Sequence, residues 1–518
     1  MSQHAAAVDP AKPTPATSAA EVDPAAAYQA LAGLARERAV WQSTSAVLGW
    51  DQETYMPAAA LEWRARQISQ LSGRVHEIST SDRWYRLLEE ASLGDDLTPT
   101  AAANVREWRR RFERDRKIPQ ALVEESSAAS SRARAAWAEA RRRSDFSRFA
   151  PHLKTLLGLQ QQMAELWGYP EEPYDALLAG YERDLTARRT AGLFDQLEPE
   201  LREIGREAAA RSAAAGAPSL AAEYPLERQQ QFNREIVEAF GFDFEGGRID
   251  ATTHPFCTDL GPGDVRLTTR YRIDDFTDSL FCVLHEAGHG MYEQGLPVDA
   301  YGTPAGESAS LGIHESQSRL WENHIGRSRS FWQHWLPRAR ELFPAMPALD
   351  LDDWMKLVQK AESSFIRVEA DESSYDLHVL LRFRLERELL SGELAVDEIP
   401  GRWNESFGHL FGMTPPDDAR GCLQDIHWSM GGFGYFPTYT LGNLVAAQLF
   451  ATASADPAVA SGLDRADYRP LLEWMRREVH RHGATMDTEQ IVRHATGRDL
   501  DPGHHLAHLR SRYLGPDA

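Results

Sequence analysis

His285-Glu286-Ala287-Gly288-His289 is the stretch of this 518-residue chain whose residue types and spacing can do chemistry. On an α-helix the two histidines stand one turn apart and about 40° apart around the axis. Both imidazoles can then reach one ion, and Glu286 lies close enough on the same side to hold a water beside it. That is the pattern for metal-assisted hydrolysis. A bound Zn²⁺ lowers the pKa of its water from 15.7 towards about 7 and polarises a carbonyl oxygen, while a carboxylate takes the water's proton and passes it on. Two histidines can equally be core residues joined by hydrogen bonds. The metal reading therefore requires a third protein ligand and an open fourth position.

The third ligand does not follow directly on the motif. Tyr292 and Gly295 occupy the wrong places for a third histidine after a nearby glycine. Glu293 keeps the four-residue spacing but lies about 12 Å along the axis from His285, too far to converge. A second helix must contribute, and residues 311–325 offer Glu315 and Glu322, with His314 and His324 adjacent. Glu315 suits a helix–loop–helix return, whereas Glu322, two turns on, is placed to support the site from behind. Cys282, one turn before His285, reads as a small packed hydrophobe.

The elements that must position these groups read as mainly α. Asp274, Asp275 and Asp278 supply N-terminal acids to the motif helix, Leu280, Val283, Leu284 and Met291 its apolar stripe, and Gly295-Leu296-Pro297 its stop. Residues 1–24 are Ala, Pro, Ser and Thr with scattered charge, which predicts a disordered tail; residues 25–518 read as one catalytic domain. Helical spacing starts near Tyr28, resumes at Phe276, and continues to the C-terminus with loops near Pro344–Asp350 and Pro415–Asp418. Between Gly247 and Tyr271, paired threonines and alternation predict a small sheet or hairpin just before the motif. No repeat of 20–50 residues is visible.

Composition narrows the function classes. With 77 acidic and 56 basic side chains the net charge is −21, which disfavours nucleic acid as a partner. The runs Arg109–Arg111 and Arg141–Arg143 alternate with acids and read as outer helix faces. The apolar run Leu441–Ala453 is broken by Asn443 and Gln448 and is too short for a bilayer, so no membrane span is expected. Met1–Pro10 lacks a basic n-region and an apolar core. Three cysteines without a CxxC pair argue against a disulfide framework. A cytoplasmic protein is expected.

Several separated stretches together resemble the carboxypeptidase Taq type of metallocarboxypeptidase. They are His254-Pro255-Phe256, Asp264–Thr268, His285–His289, His314–Gln317, Ile366–Asp371 and Gly421–Trp428, with Trp50–Pro57 and Gly434–Tyr439. They run in family order from about Tyr28 to the C-terminus. The resemblance implies a large helical, saddle-like fold with a long substrate groove and zinc at its floor. It also implies homodimers, and release of single C-terminal amino acids with broad specificity from peptides with a free C-terminus. By the resemblance His285, His289 and Glu315 bind the metal and Glu286 is the base. Histidine and carboxylate ligands also suit Co²⁺ or another divalent ion.

Such a reaction needs a donor for the oxyanion and a partner for the terminal carboxylate. His427, Tyr435 and Tyr439 are candidate donors, beside a Met430–Gly434 run whose glycines permit close approach; packing in a turn suits either tyrosine equally. Arg367 and Arg266 are the arginines inside the motifs, and a guanidinium fork matches a carboxylate. Asp371, four residues after Arg367, offers the plainer alternative of a helical ion pair. His254 could donate to substrate or fix its loop. A metalloendopeptidase or dipeptidyl carboxypeptidase of similar helical fold is the alternative activity, and a non-catalytic helical scaffold the third reading.

Overall fold

The computed structural model describes residues 23–216 and 218–515. The expected tail falls, for residues 1–22, outside the described residues. Its last two residues are structured: Asp23 caps the first helix (Pro24–Thr54) by accepting from the amides of Ala25 and Ala26. That helix stops three residues before Pro57, and the chain is helical through most of its remaining length. The two arginine runs lie on helices. Arg110 and Arg111 pair with Glu107, while Arg142 and Arg143 pair with Glu139.

The small sheet forms where alternation predicted it. β1 (Gly247–Ala251) pairs parallel to β3 (Val265–Thr269), and β2 (Cys257–Asp259) pairs antiparallel to β3 from its other side. It is a mixed sheet rather than a simple hairpin. β3 presents Val265 and Leu267 to a large core that also holds the motif helix.

The motif helix spans Phe276–Glu293, with Asp275 accepting from the amide of Thr277 at its start. Leu280, Val283, Leu284, Ala287 and Met291 are fully buried, and burying each large one stabilises by about 1.5–3 kcal/mol. Two glycines set how closely its neighbours approach. A Cβ on Gly288 would stand 2.6 Å from the Gln317 carbonyl oxygen and the Ser318 Cα, and one on Gly290 would meet Leu267 of β3 at 2.7 Å. The first brings in the return helix (Leu311–Arg319) and the second lets the sheet pack below. On the far side of the return helix lies the helix Pro437–Ser454, where a Cβ on Gly442 would meet the Glu315 Cγ at 2.5 Å.

Beyond Arg319 the return helix widens into a π-helical stretch, Leu320–Gly326, carrying Glu322 and His324. Such widenings are rare and occur often at functional sites. The continuous helix expected downstream is interrupted: between the helices Leu351–Val358 and Tyr375–Ser391 the chain is irregular, apart from one tight turn, Arg367–Glu369. Side chains compete for the backbone there. Asp371 accepts from the amides of Glu362 and Ser373, offering an alternative to helical bonds.

Candidate active site

His285 and His289 point from the motif helix towards Glu315 on the return helix. The Nε2 atoms lie 3.7 and 3.6 Å from the Glu315 Oε2, and one ligand atom from each residue lies within 4.8 Å of the other two. Tetrahedral coordination at about 2.1 Å places neighbouring ligand atoms about 3.4 Å apart, so the three fit one ion with little adjustment. The other ring nitrogens are already committed. Nδ1 of His285 lies 3.0 Å from the Glu322 Oε2, and Nδ1 of His289 donates to the His314 carbonyl at 3.0 Å. Those bonds turn both Nε2 lone pairs inward, as metal-ligating histidines require. Glu315 is held in turn by Arg319 at 2.7 Å and by the Ser318 hydroxyl at 3.1 Å.

Electrostatics divide the carboxylates by role. Burial opposes ionisation of Glu322, but His285, Arg327 and Arg319 outweigh it and hold its pKa down to about 2. Burial pushes Glu286 up to about 7: His285 opposes the shift without cancelling it, and Glu315 adds to it. Burial also disfavours the charged form of His285, yet Glu315 and Glu322 hold its pKa above the ordinary value. His289 is held well below it, by burial and then by His314. Glu322→Gln should therefore weaken metal affinity about 10–100-fold, because the His285 ring loses its carboxylate partner. Competition with a chelator measures this, and unchanged affinity would remove Glu322 from the site.

A cavity of about 790 Å³ opens onto this cluster, lined by His285, Glu286, Glu315, Arg367, Tyr375 and Tyr439 among others. Arg367 does not pair with Asp371. Its Nε and Nη2 donate to Asp425 at 3.0 and 2.8 Å and its Nη1 to the Tyr375 hydroxyl at 2.7 Å. The plain helical ion pair fails because Arg367 sits in a single 3₁₀ turn, not an α-helix. Three of its five N–H groups are used, leaving two for a ligand in the cavity. His427 stands one layer back, its Nε2 3.3 Å from the Tyr439 hydroxyl. Burial lowers its pKa to about 4, so it is neutral. Tyr435 packs against Tyr439, His427 and Tyr181.

Two expected residues are placed elsewhere. Arg266 forms a two-pronged pair with Asp264, both bonds 2.8 Å, and lies 4.2 Å over the Trp50 ring; it is absent from the cavity lining. Its position on β3 directs it to the first helix instead. His254 is exposed and also outside that lining, although its neighbour Pro255 belongs to it. Cys282 lines the cavity, with its thiol pushed up to about 12 by burial, which makes it a poor metal ligand.

Three supporting residues escaped the sequence reading. Arg319 was findable, being four residues after Glu315 on one helix face. Asp425 and Tyr375 carried no local signal for Arg367. Glu293, excluded as a ligand by its distance along the axis, instead accepts from His314 at 2.8 Å.

The similarities to known proteins agree with this geometry. Carboxypeptidase 1 of Bacillus subtilis is 37% identical over 471 residues, covering 90% of this chain and 94% of that protein. Thermostable carboxypeptidase 1 of Thermus thermophilus is 42% identical over 503 residues, covering 95% of this chain and 99% of that one. The crystal structure of the M32 carboxypeptidase from Deinococcus radiodurans superposes with a TM-score of 0.90 at 39% identity, over 94% of this chain and 99% of that one. A sequence model described as carboxypeptidase Taq (M32) metallopeptidase matches residues 30–513, and with two histidines and a glutamate converging inside that span, this chain belongs to the carboxypeptidase Taq (M32) family of metallopeptidases.

Proposed function

We propose that this metallocarboxypeptidase uses Zn²⁺ held by His285, His289 and Glu315, with Glu286 as general base, to release single amino acids of broad type from free peptide C-termini. The observation that carries the reading is the convergence of both Nε2 atoms on the Glu315 carboxylate, beside a Glu286 side chain that makes no hydrogen bond among the described residues. The donor set suits zinc and also Co²⁺. When bound, the ion supplies Lewis acidity and lowers the pKa of water to about 7.

The chain's own groups do the rest. Glu286 is placed to accept a proton from water and hand it to the leaving amine nitrogen. Tyr439 presents its hydroxyl to the cavity as donor to the oxyanion, positioned by neutral His427, with Tyr435 fixing the ring from its other side. Arg367 offers its two remaining N–H groups to the terminal carboxylate, fixed by Asp425 and Tyr375. Arg266, bonded to Asp264 and lying over Trp50, is left with a structural part.

Digestion of N-blocked peptides with a free or an amidated C-terminus tests the reading. Stepwise release of single residues from the free form alone is expected; internal fragments or dipeptides would instead favour the endopeptidase or dipeptidyl carboxypeptidase alternative. Arg367→Ala should lower kcat/KM on free peptides by at least ~30-fold, since loss of a buried charge partner costs about 2–5 kcal/mol. Metal content should not change, and Arg367→Lys should recover part of the loss.

We assign the remaining properties from packing, composition and the family resemblance. One domain over residues 25–518 is supported by the helix Pro437–Ser454, which contributes Leu444 to one large core and Val445, Ala446 and Leu449 to the other. No helix among the described residues is long and apolar enough to cross a membrane. Three free cysteines suit the reducing cytoplasm. The homodimer is the assembly that the family resemblance implies, and sedimentation would detect it.

A further inference from the structure

Behind the catalytic cavity stands a second set of two histidines and a glutamate. His324 comes from the π-helical stretch, Glu372 from the irregular segment before the helix Tyr375–Ser391, and His508 from the helix Gly503–Tyr513. One ligand atom from each lies within 4.8 Å of the other two. The imidazole centroids of His324 and His508 are 4.0 Å apart, and the His508 Nε2 is 2.8 Å from the Glu372 Oε1. The other Glu372 oxygen accepts from Arg512 at 2.7 Å.

His324 is what an ordinary hydrogen-bonded cluster fails to explain. It is 5% exposed, and its Nδ1 is buried with no hydrogen-bond partner among the described residues. Leaving such a group unpaired is destabilising. The protonation states suit a cation. Burial, then His508, holds His324 well below its ordinary pKa, and burial also lowers His508. Glu372 stays ionised, since Arg512 and His508 outweigh its burial. Two neutral imidazoles and one carboxylate are the states in which these side chains bind a metal. His324 and His508 also line a separate cavity of about 410 Å³, through which water can reach a fourth coordination position.

We propose that His324, Glu372 and His508 form a second divalent-cation site, separate from the catalytic one, for a transition-series ion that imidazole binds well. An ion there ties the C-terminal helix Gly503–Tyr513 to the stretch bearing Glu322 and to the segment bearing Arg367, so its effect is structural support of both. Arg512, a positive charge bonded to the same carboxylate, makes this site the weaker of the two. It therefore fills second.

Co²⁺ alone, added to the metal-stripped full chain, tests this. Two equivalents should bind to the parent and one to the His285→Ala/His289→Ala variant, with visible d–d absorption and a raised Tm in each. Adding His508→Ala to that double variant should abolish the remaining equivalent and the Tm rise, and His324→Gln should weaken binding at least tenfold. On its own His508→Ala should bind one equivalent and retain peptidase activity. One equivalent in the parent and none in the double variant would overturn the second site, whatever the folding of the His508 variants. Loss of activity in the double variant reports on the catalytic reading separately.

Discussion

Glu286→Gln should lower kcat by about 10²–10⁴-fold, the usual contribution of a positioned general base, while metal content stays at the parental level. The amide matches the carboxylate in size but cannot take a proton from water. Its effect on stability has the opposite sign. Burial raises the Glu286 pKa from 4.5 to about 7 in the metal-free protein, so the folded state holds this proton more tightly than the unfolded chain. The ionised form is penalised by about 3 kcal/mol once pH exceeds the folded value. Metal-free Glu286→Gln should therefore melt above the metal-free parent at pH 8, with the gap closing as pH falls towards 4.5. Kinetics, metal analysis and melting curves together separate a base from a residue that only packs. A normal kcat in this variant would remove the assignment.

Glu315→Ala should abolish turnover and metal binding at the His285–His289 site. The loss of affinity should exceed the about 10–100-fold typical of outer partners, because a ligand itself is removed. A second cost follows from Arg319, whose side chain is only 15% exposed and donates to Glu315 at 2.7 Å. Without that carboxylate its nearest acid is Glu322, 3.8 Å away, and stranding a buried charge costs about 3–5 kcal/mol. The variant should thus be less stable as well as lacking the catalytic ion. Glu315→Gln, which keeps the bulk beside Gly442, should lose affinity with a smaller stability cost. Stoichiometric metal after dialysis of either variant, with His508→Ala added to remove the second site, would show that another group binds the catalytic ion.

Much of the site could be read along the chain because its rules act within a turn or two. The Asp275 cap, the apolar stripe from Leu280 to Met291 and the Gly295-Leu296-Pro297 stop bound the motif helix at Phe276–Glu293. Its period puts two imidazoles on one side and rules out Glu293. The segment around Arg367 was less legible. Its neighbours carry helical spacing, but side-chain bonds from Asp371 replace the helix, and the partner Asp425 lies 58 residues away. Arg266 misled for a related reason: a motif arginine can satisfy itself on a neighbouring aspartate and an indole ring.

The amino-acid order by itself determined the donor types, their spacing on one helix and the choice of Glu315 or Glu322 for the return. Tertiary packing decided between those two. Helix approach at Gly288 and Gly442 brings Glu315 to the imidazoles, while the π-helical stretch turns Glu322 to the Nδ1 of His285. Hydrogen-bond periodicity is a property of neighbouring residues. Convergence of three ligand atoms depends on the distance between helices, which side-chain volume at remote contact points sets.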